Sequence, residues 1–496
     1  MEQNKSFLKQ KWSIVAGLLA VTAVLTLISH FPVTSIAQAD PSGAQQQFLP
    51  ILGNGAPLLC RFGVNVNQPF NNLMIDDLPL GWYVDYKASA TPEAPQRAKY
   101  VPIIRLSQTG PNADDFTYNP TGAELMSAIS GNPGADWFIG NEPDRRDFQD
   151  DMEPHVYAAA YHELYHLIKT ADSTARIFAG TIVQPTPLRL QYLDMVLDSY
   201  AQQNGGAALP ADGWSIHNFI LNEASCDYDD SDDNCWGAEI PPGIDAHFGE
   251  FVAINDNDNI NMFQDRIVAF RQWMFDNGYG NLPLTVSEYG ILMPEWLGFP
   301  DTRVNAFMNA SVGYMLSATD PVLGDPHDDR RLVQTFSWYS TGAPNDPFNG
   351  YLFEGNNPPW PLSSMGENYA ALIAQQEKAV DYYPTSLVSK TVSVSNSVTV
   401  TLEATIANSG NTTQPLHTII VRFYEGDPDS GGVQLGNDQT VILPGCGYHQ
   451  TVSIDWSDPA AGNYQVFVVA DASHFAYETN EQNNKLAVEL TVPPGN

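Results

Sequence analysis

From residue 59 to about 378, short runs that are apolar at nearly every position alternate with longer stretches whose apolar residues recur every three or four positions. The short runs are CRFGVNV (60–66), GWYVDY (81–86), VPIIRL (101–106), DWFIGN (136–141), RIFAGTIV (176–183), GWSIHNFI (213–220), LTVSEYG (284–290) and VQTFSWYS (333–340). Runs this apolar suit strands buried on both faces, as in a parallel sheet. The longer stretches, notably 155–171, 187–204, 261–278 and 302–317, predict amphipathic helices between them. Eight strands with intervening helices in roughly 320 residues predict an α/β fold, a (β/α)8 TIM barrel over 59–378. A doubly wound open sheet is the alternative, but no glycine-rich phosphate loop follows an early strand.

The texture changes after residue 380. SVTVTLEATIANSG, HTIIVRFYEG, QTVSIDW and NYQVFVVADA alternate apolar and polar positions, with turns between them. That period predicts an all-β, immunoglobulin-like sandwich over 388–494, joined to the barrel by a linker at 379–387. At the other end, Lys5, Lys9 and Lys11 precede an apolar run from Trp12 to Ile28, and Ala37-Gln38-Ala39 offers a small-residue cleavage site. Residues 1–39 therefore read as a signal peptide and 40–58 as a linker, which predicts a secreted, extracellular protein. The run is long for a signal segment, so an uncleaved anchor is the alternative.

Charge narrows the partners. The chain carries a formal net charge of −35, and removing residues 1–39 with Glu2 and three lysines takes it to −37. Such a surface repels phosphate backbones and anionic lipids, so neither nucleic acid nor a membrane surface is expected as partner of the mature form. A neutral ligand suits it better. Of the four cysteines, Cys226 and Cys235 bracket an acidic loop and are expected to form a disulfide after export, while the pairing of Cys60 and Cys446 stays open. The bracketed loop, CDYDDSDDNC, has aspartates at a density that hard cations favour, but it lacks the glycine and terminal glutamate of an EF-hand. It reads as a solvated acidic loop on the active-site face, with no metal assigned and calcium as the alternative.

One short motif competes for the function. His162-Glu163-Leu164-Tyr165-His166 matches the H-E-x-x-H of zinc proteases. At about 100° per residue, however, Tyr157, Tyr161, Leu164, Tyr165 and Ile168 form the buried stripe, and both histidines fall off it. No second metal-ligand motif follows, so the segment reads as the exposed face of a barrel helix.

Two glutamates stand where a barrel places its chemistry. Glu142 follows the strand DWFIGN within GNEPD, and Glu288 lies near the end of LTVSEYG, 146 residues later. By strand count these are the fourth and seventh strands, whose C-terminal ends converge on one mouth. Cleavage of a glycosidic bond needs such a pair, one carboxylic acid to protonate the leaving oxygen and one carboxylate to attack or to activate water.

Residues 60–376 resemble the clan A retaining glycoside hydrolases, a (β/α)8 superfamily, through GNEPD and SEYG. NEPD is also similar to a motif of fungal-type glucan hydrolases. The clan resemblance implies Glu142 as acid/base, Glu288 as nucleophile and no cofactor. Asn141, beside the acid, is expected to hydrogen-bond a sugar hydroxyl. The resemblance also implies Trp338, in TFSWYS, as a sugar platform, since an indole face stacks on a pyranose. His217, in WSIHNF, is expected to bond the nucleophile or the sugar. Arg105, in IIRLS, is expected to sit deep and hold Glu288 ionised.

The tail resembles the bacterial cell-adhesion-related domain, CARDB, through ATIANSGNTT (404–413) and YETNEQNNKLAVELTV (477–492). That resemblance implies an appendage with a contact to a cell surface or glycan, and Glu478, Glu481, Asn483 and Asn484 as organisers of a terminal turn. The combined expectation is a secreted retaining glycosidase acting on a neutral oligo- or polysaccharide. A non-catalytic glycan-binding protein on the same scaffold is the alternative, and a zinc protease the remote one.

Overall fold

The computed structural model describes residues 58–146, 148–225, 236–343, 346–394 and 397–493 of the chain. The segment read as a signal peptide, nearly all of the stretch read as the 40–58 linker, and the Cys226–Cys235 loop with its expected disulfide lie outside these residues.

The sheet runs through β1 (Phe62–Asn65), β2 (Trp82–Val84), β3 (Lys99–Tyr100), β4 (Ile103–Gln108), β5 (Phe116–Asn119), β6 (Asp136–Ile139), β7 (Arg176–Ile182), β8 (Gly213–His217), β9 (Leu284–Tyr289) and β10 (Thr335–Trp338). Its order is β3-β2-β1-β10-β9-β8-β7-β6-β4-β5, all parallel except β5, which lies antiparallel on β4. The strands β3 and β4 at opposite ends of that order are separated only by Val101-Pro102. The Val101 amide donates to Tyr83 O (2.9 Å) on one side, and Pro102 O accepts from the Phe138 amide (3.0 Å) on the other. The curled sheet therefore meets itself at one proline-broken strand, which makes eight barrel strands.

Six helices pack outside: α1 (Gly122–Gly131), α2 (Pro154–Ala171), α3 (Pro187–Gln203), α4 (Ile260–Asp276), α5 (Asp301–Ser317) and α6 (Ser364–Ala374). The first two connections carry only short 3-10 turns, at Phe70–Asn72, Ile75–Asp77 and Pro95–Arg97. Pro69, Pro79, Pro92 and Pro95 fall there, and proline removes the donor that an interior helical position needs. Inside the barrel, large side chains sit over glycines of the next strand. A Cβ on Gly63 would lie 2.3 Å from the Trp82 ring, and one on Gly213 would lie 2.3 Å from Phe178.

The C-terminal unit contains β11 (Tyr382–Val394), β12 (Ser397–Asn408), β13 (Ile419–Glu425), β14 (Val433–Val441), β15 (Tyr448–Ser457), β16 (Gly462–Val469) and β17 (Lys485–Val492). They form two antiparallel sheets, β11-β12-β15 and β14-β13-β16-β17, with the alternate apolar residues between them. Strand β11 opens at Tyr382, inside the stretch read as linker, because Tyr382 and Leu387 are buried in the sandwich core. The terminal turn is held by Glu478, which accepts from the Tyr382 amide and from Asn484 Nδ2.

The sandwich is fastened to the N-terminal ends of the barrel strands. Cys60 and Cys446 form a disulfide between the two units. Beside it, buried Arg61 makes a bidentate pair with Asp328 (2.7 Å twice) and donates to Ser409 O (2.9 Å) in the sandwich. Tyr448 lies under the Arg176 guanidinium (4.0 Å to the ring), and Arg176 and Lys99 both pair with Asp136. Burial alone would raise the Asp136 pKa, but the two cations outweigh it and hold the carboxylate ionised. Replacing Cys60 and Cys446 together by serine is expected to lower stability by about 2–4 kcal/mol. Urea denaturation with and without reductant measures it: the wild-type protein should fall to the double variant's midpoint when reduced.

Candidate active site

The C-terminal mouth of the barrel gathers Glu142, His217 and Glu288, which are 2%, 1% and 5% exposed. His217 and Glu288 face each other in register across β8 and β9, at a bulge that follows Ile216. Glu142 stands just past β6 with φ +47°, in the left-handed region that a glutamate rarely occupies. Its amide donates to Thr181 O (2.9 Å), and its carbonyl accepts from the Arg145 amide (3.0 Å), which hold that conformation. Backbone strain of this kind costs roughly 1–3 kcal/mol and persists where surrounding structure enforces it.

The imidazole of His217 lies between the two carboxylates. Its Nδ1 is 2.9 Å from Glu142 Oε1, and its Nε2 is 3.3 Å from Glu288 Oε1. One oxygen of each glutamate and a ring nitrogen of His217 lie within 4.8 Å of one another. Burial favours the neutral imidazole, but the Glu288 and Glu142 carboxylates outweigh it and raise the His217 pKa. For Glu142 burial is likewise outweighed, by Arg145 and His217, and its pKa falls to about 2. Glu288 goes the other way: burial, together with the nearby Glu142 charge, outweighs His217 and lifts it to about 7. The directions alternate across the cluster: Glu142 is held toward its anion, the imidazole is pushed toward its cation, and Glu288 is pushed toward its neutral acid.

Further groups shape the site. Arg145 places Nη1 3.4 Å from Glu142 Oε2 and Nε 3.3 Å from Glu239 Oε2. Behind it Arg189, wholly buried, donates to Asp144 Oδ2 (2.5 Å), Glu223 Oε1 (2.7 Å) and Glu239 O (2.6 Å). This clamp ties the GNEPD turn to the loop that follows β8. The hydroxyls of Tyr86 and Tyr339 complete the surround, their pKa values raised first by burial and then by the Glu288 charge.

The sequence-derived residues fall into place unevenly. His217 touches both glutamates. The Asn141 amide group turns toward Gln149 (3.3 Å), and its Oδ1 is buried with no hydrogen-bond partner among the described residues. Arg105 corrects one expectation: it is not deep, with 31% of its side chain exposed, and its bonds go to Asp150 (2.7 Å) and Gln149 (2.9 Å). Its charge still acts on Glu288, more weakly than His217 does. Trp338 corrects another, being 0% exposed and packed edge-to-face on Tyr289 in the sheet–helix core. Alternation along β10 turns it away from the mouth, and the aromatics that feel the Glu288 charge are the next residue, Tyr339, and Tyr86. In HELYH, His162 and His166 lie on the outer face of α2, ring against ring at 4.5 Å, and His162 Nδ1 meets Tyr200 Oη at 2.9 Å.

Tyr86, Tyr339, Arg145, Arg189 and Glu239 were not singled out from sequence. Arg145 had a signal, three residues beyond Glu142 in GNEPDR. Arg189 and Glu239 had none, because only the tertiary fold brings them to the turn.

The CARDB family model matches residues 381–488. That segment is a CARDB domain. No curated protein matches the chain. Solved structures similar to this chain include enzymes that act on glycosides and an oligosaccharide-binding protein. A GH128 (subgroup II) endo-β-1,3-glucanase from Pseudomonas viridiflava shares 14% identity over 63% of this chain and 98% of its own, with a TM-score of 0.40. A glucosidase from Croceicoccus marinus shares 11% over 81% of this chain and 94% of its own, with a TM-score of 0.42. The CARDB domain of a Pyrococcus furiosus protein, solved with di-metal ions, shares 19% over 24% of this chain and 99% of its own, with a TM-score of 0.19. At such scores the chemistry of the site stands on its own geometry.

Replacing Arg189 by methionine would strand Asp144 and Glu223 as uncompensated buried charges. The expected loss is about 3–5 kcal/mol, measured by urea denaturation, whereas the exposed Arg146→Met should change stability by less than about 0.5 kcal/mol.

Proposed function

We propose that the protein is a secreted glycoside hydrolase that cleaves a neutral oligo- or polysaccharide by a retaining double displacement. The observation that carries this reading is the buried cluster of Glu142, His217 and Glu288, with oxygens of the two carboxylates within 4.8 Å. Retaining enzymes hold their carboxyl groups about 5–5.5 Å apart, and inverting ones need about 6.5–9.5 Å to seat a water.

The imidazole supplies the proton arrangement the reaction needs. With His217 protonated on both nitrogens, moving the Nδ1 proton across 2.9 Å makes Glu142 the acid and leaves Nε2–H facing an ionised Glu288. Glu288 attacks the anomeric carbon while Glu142 passes its proton to the departing glycosidic oxygen. Water then gives a proton to Glu142 as its oxygen attacks the anomeric carbon, and Glu288 leaves as carboxylate. Loss of the Arg145 contact when sugar enters would favour the protonated Glu142.

Glu142→Gln and Glu288→Gln are each expected to lower kcat at least a thousandfold with circular dichroism unchanged, and NMR of early products should show retained anomeric configuration. Full activity in either variant, or inverted product, would sink the mechanism. The pH profile follows from the raised Glu288 pKa, since a nucleophile must be ionised. kcat/KM for the free enzyme should fall as pH drops through about 7 and fall again at higher pH as the cluster loses its last transferable proton. An acid limb below pH 5 would contradict the cluster as described.

The glycan-binding alternative predicts tight retention of a polysaccharide with no reducing ends released from a panel of β-glucans, mannans and xylans. The same three donors could also hold a divalent cation. Chelator-insensitive hydrolysis would exclude that use and, with it, the zinc protease.

A further inference from the structure

The described residues of the connection from β10 to α6, 339–343 and 346–363, form a pinned shelf on the face that carries Glu142 and Glu288. Trp338 Nε1 donates to Gly350 O (2.7 Å), the Asn349 amide to Met293 O (3.0 Å), and Asn349 Nδ2 to Phe299 O (2.9 Å). An antiparallel bridge joins Phe353 to Leu362. These ties frame an open cavity of about 210 Å³ lined by Asp346, Phe348, Tyr351, Phe353, Glu354 and Trp360.

Tyr339 connects this cavity to the reaction centre. Its amide donates to Tyr289 O (2.9 Å), one residue past Glu288, and two residues further on Thr341 O accepts from the amide of Phe353 on the cavity wall (3.0 Å). Tyr351 on the cavity wall in turn responds to both Asp346 and Tyr339. The cavity is therefore next to the catalytic pair on the same mouth.

Building on the glycosidase reading, we propose that this cavity is a sugar subsite that binds one pyranose ring of the substrate beside the one being cleaved. Its aromatic walls suit the apolar C–H faces of a sugar, and its carboxylates accept from hydroxyl groups. The volume is below the 300 Å³ or more of sites for larger ligands and suits a single ring. Two acidic side chains in the lining disfavour an anionic sugar. A ligand held here keeps a longer substrate in register with Glu288, so the subsite selects oligosaccharides over monoglycosides.

The test is calorimetric titration of Glu288→Gln with cellohexaose, laminarihexaose, mannohexaose and xylohexaose, repeated after adding Phe348→Ala or Asp346→Asn. Glu142→Gln is a second background should the first fold poorly. At least one hexasaccharide should bind, with Kd raised about tenfold by Phe348→Ala and about threefold by Asp346→Asn. Unchanged Kd in both added variants, or no binding of any of the four, overturns the subsite. Hydrolysis of the same four sugars by wild-type protein separates the two claims. Cleavage with unchanged Kd removes the subsite and keeps the enzyme; weakened binding without cleavage keeps the subsite and removes the enzyme.

Discussion

One imidazole held between two carboxylates, all three at least 95% buried, is the constraint on which the catalytic end of this barrel depends. A lone charge at that depth costs several kcal/mol, so each member is tolerable only because the others compensate it. His217 contacts both glutamates, so in the proposed mechanism a single proton passes from the imidazole to Glu142 without leaving the cluster. The rest of the local structure serves that arrangement. The β8–β9 register sets His217 opposite Glu288, the left-handed turn at Glu142 aims its carboxylate inward, and the Arg189 clamp prevents that turn from relaxing.

The two ends of the barrel are used differently. The C-terminal mouth carries the ionisable cluster, the tyrosines and the β10–α6 shelf. The N-terminal mouth is covered by the CARDB domain, through a disulfide, the Arg61–Asp328 pair and the stack of Arg176 on Tyr448. Conservation of charge balance differs as well. At the N-terminal end Asp136 is overmatched by cations and stays ionised, whereas at the mouth Glu288 is poised near neutrality. The CARDB domain is tied to the scaffold covalently by the Cys60–Cys446 disulfide.

Much of this was legible in the chain because the barrel's signals are local. Fully apolar runs announced each parallel strand, and counting them put Glu142 and Glu288 on strands whose ends converge. The helical phase of HELYH separated a surface face from a metal site. What escaped was set by details finer than period. In TFSWYS the platform was assigned to Trp338, yet strand alternation turns that indole into the sheet–helix core and Tyr339 toward the mouth. Arg105 read as a deep cation, but it pairs with Asp150, 45 residues away, and with Gln149, and 31% of its side chain stays exposed. The Cys60–Cys446 link joins residues 386 apart, a separation at which sequence carries no geometric information. Proline in the first two connections was visible, and it replaced the expected helices with 3-10 turns.

The most direct measurement of the central claim is mass spectrometry of the protein after incubation with 2-deoxy-2-fluoroglycosides of the common neutral sugars, which slow the second displacement more than the first. A nucleophile at Glu288 predicts that one of these reagents adds the mass of one glycosyl group, mapping to the peptide that contains Leu284–Gly290 and absent from Glu288→Gln. Hydrolysis that proceeds with no adduct from any of them, or an adduct on Glu142, would contradict it.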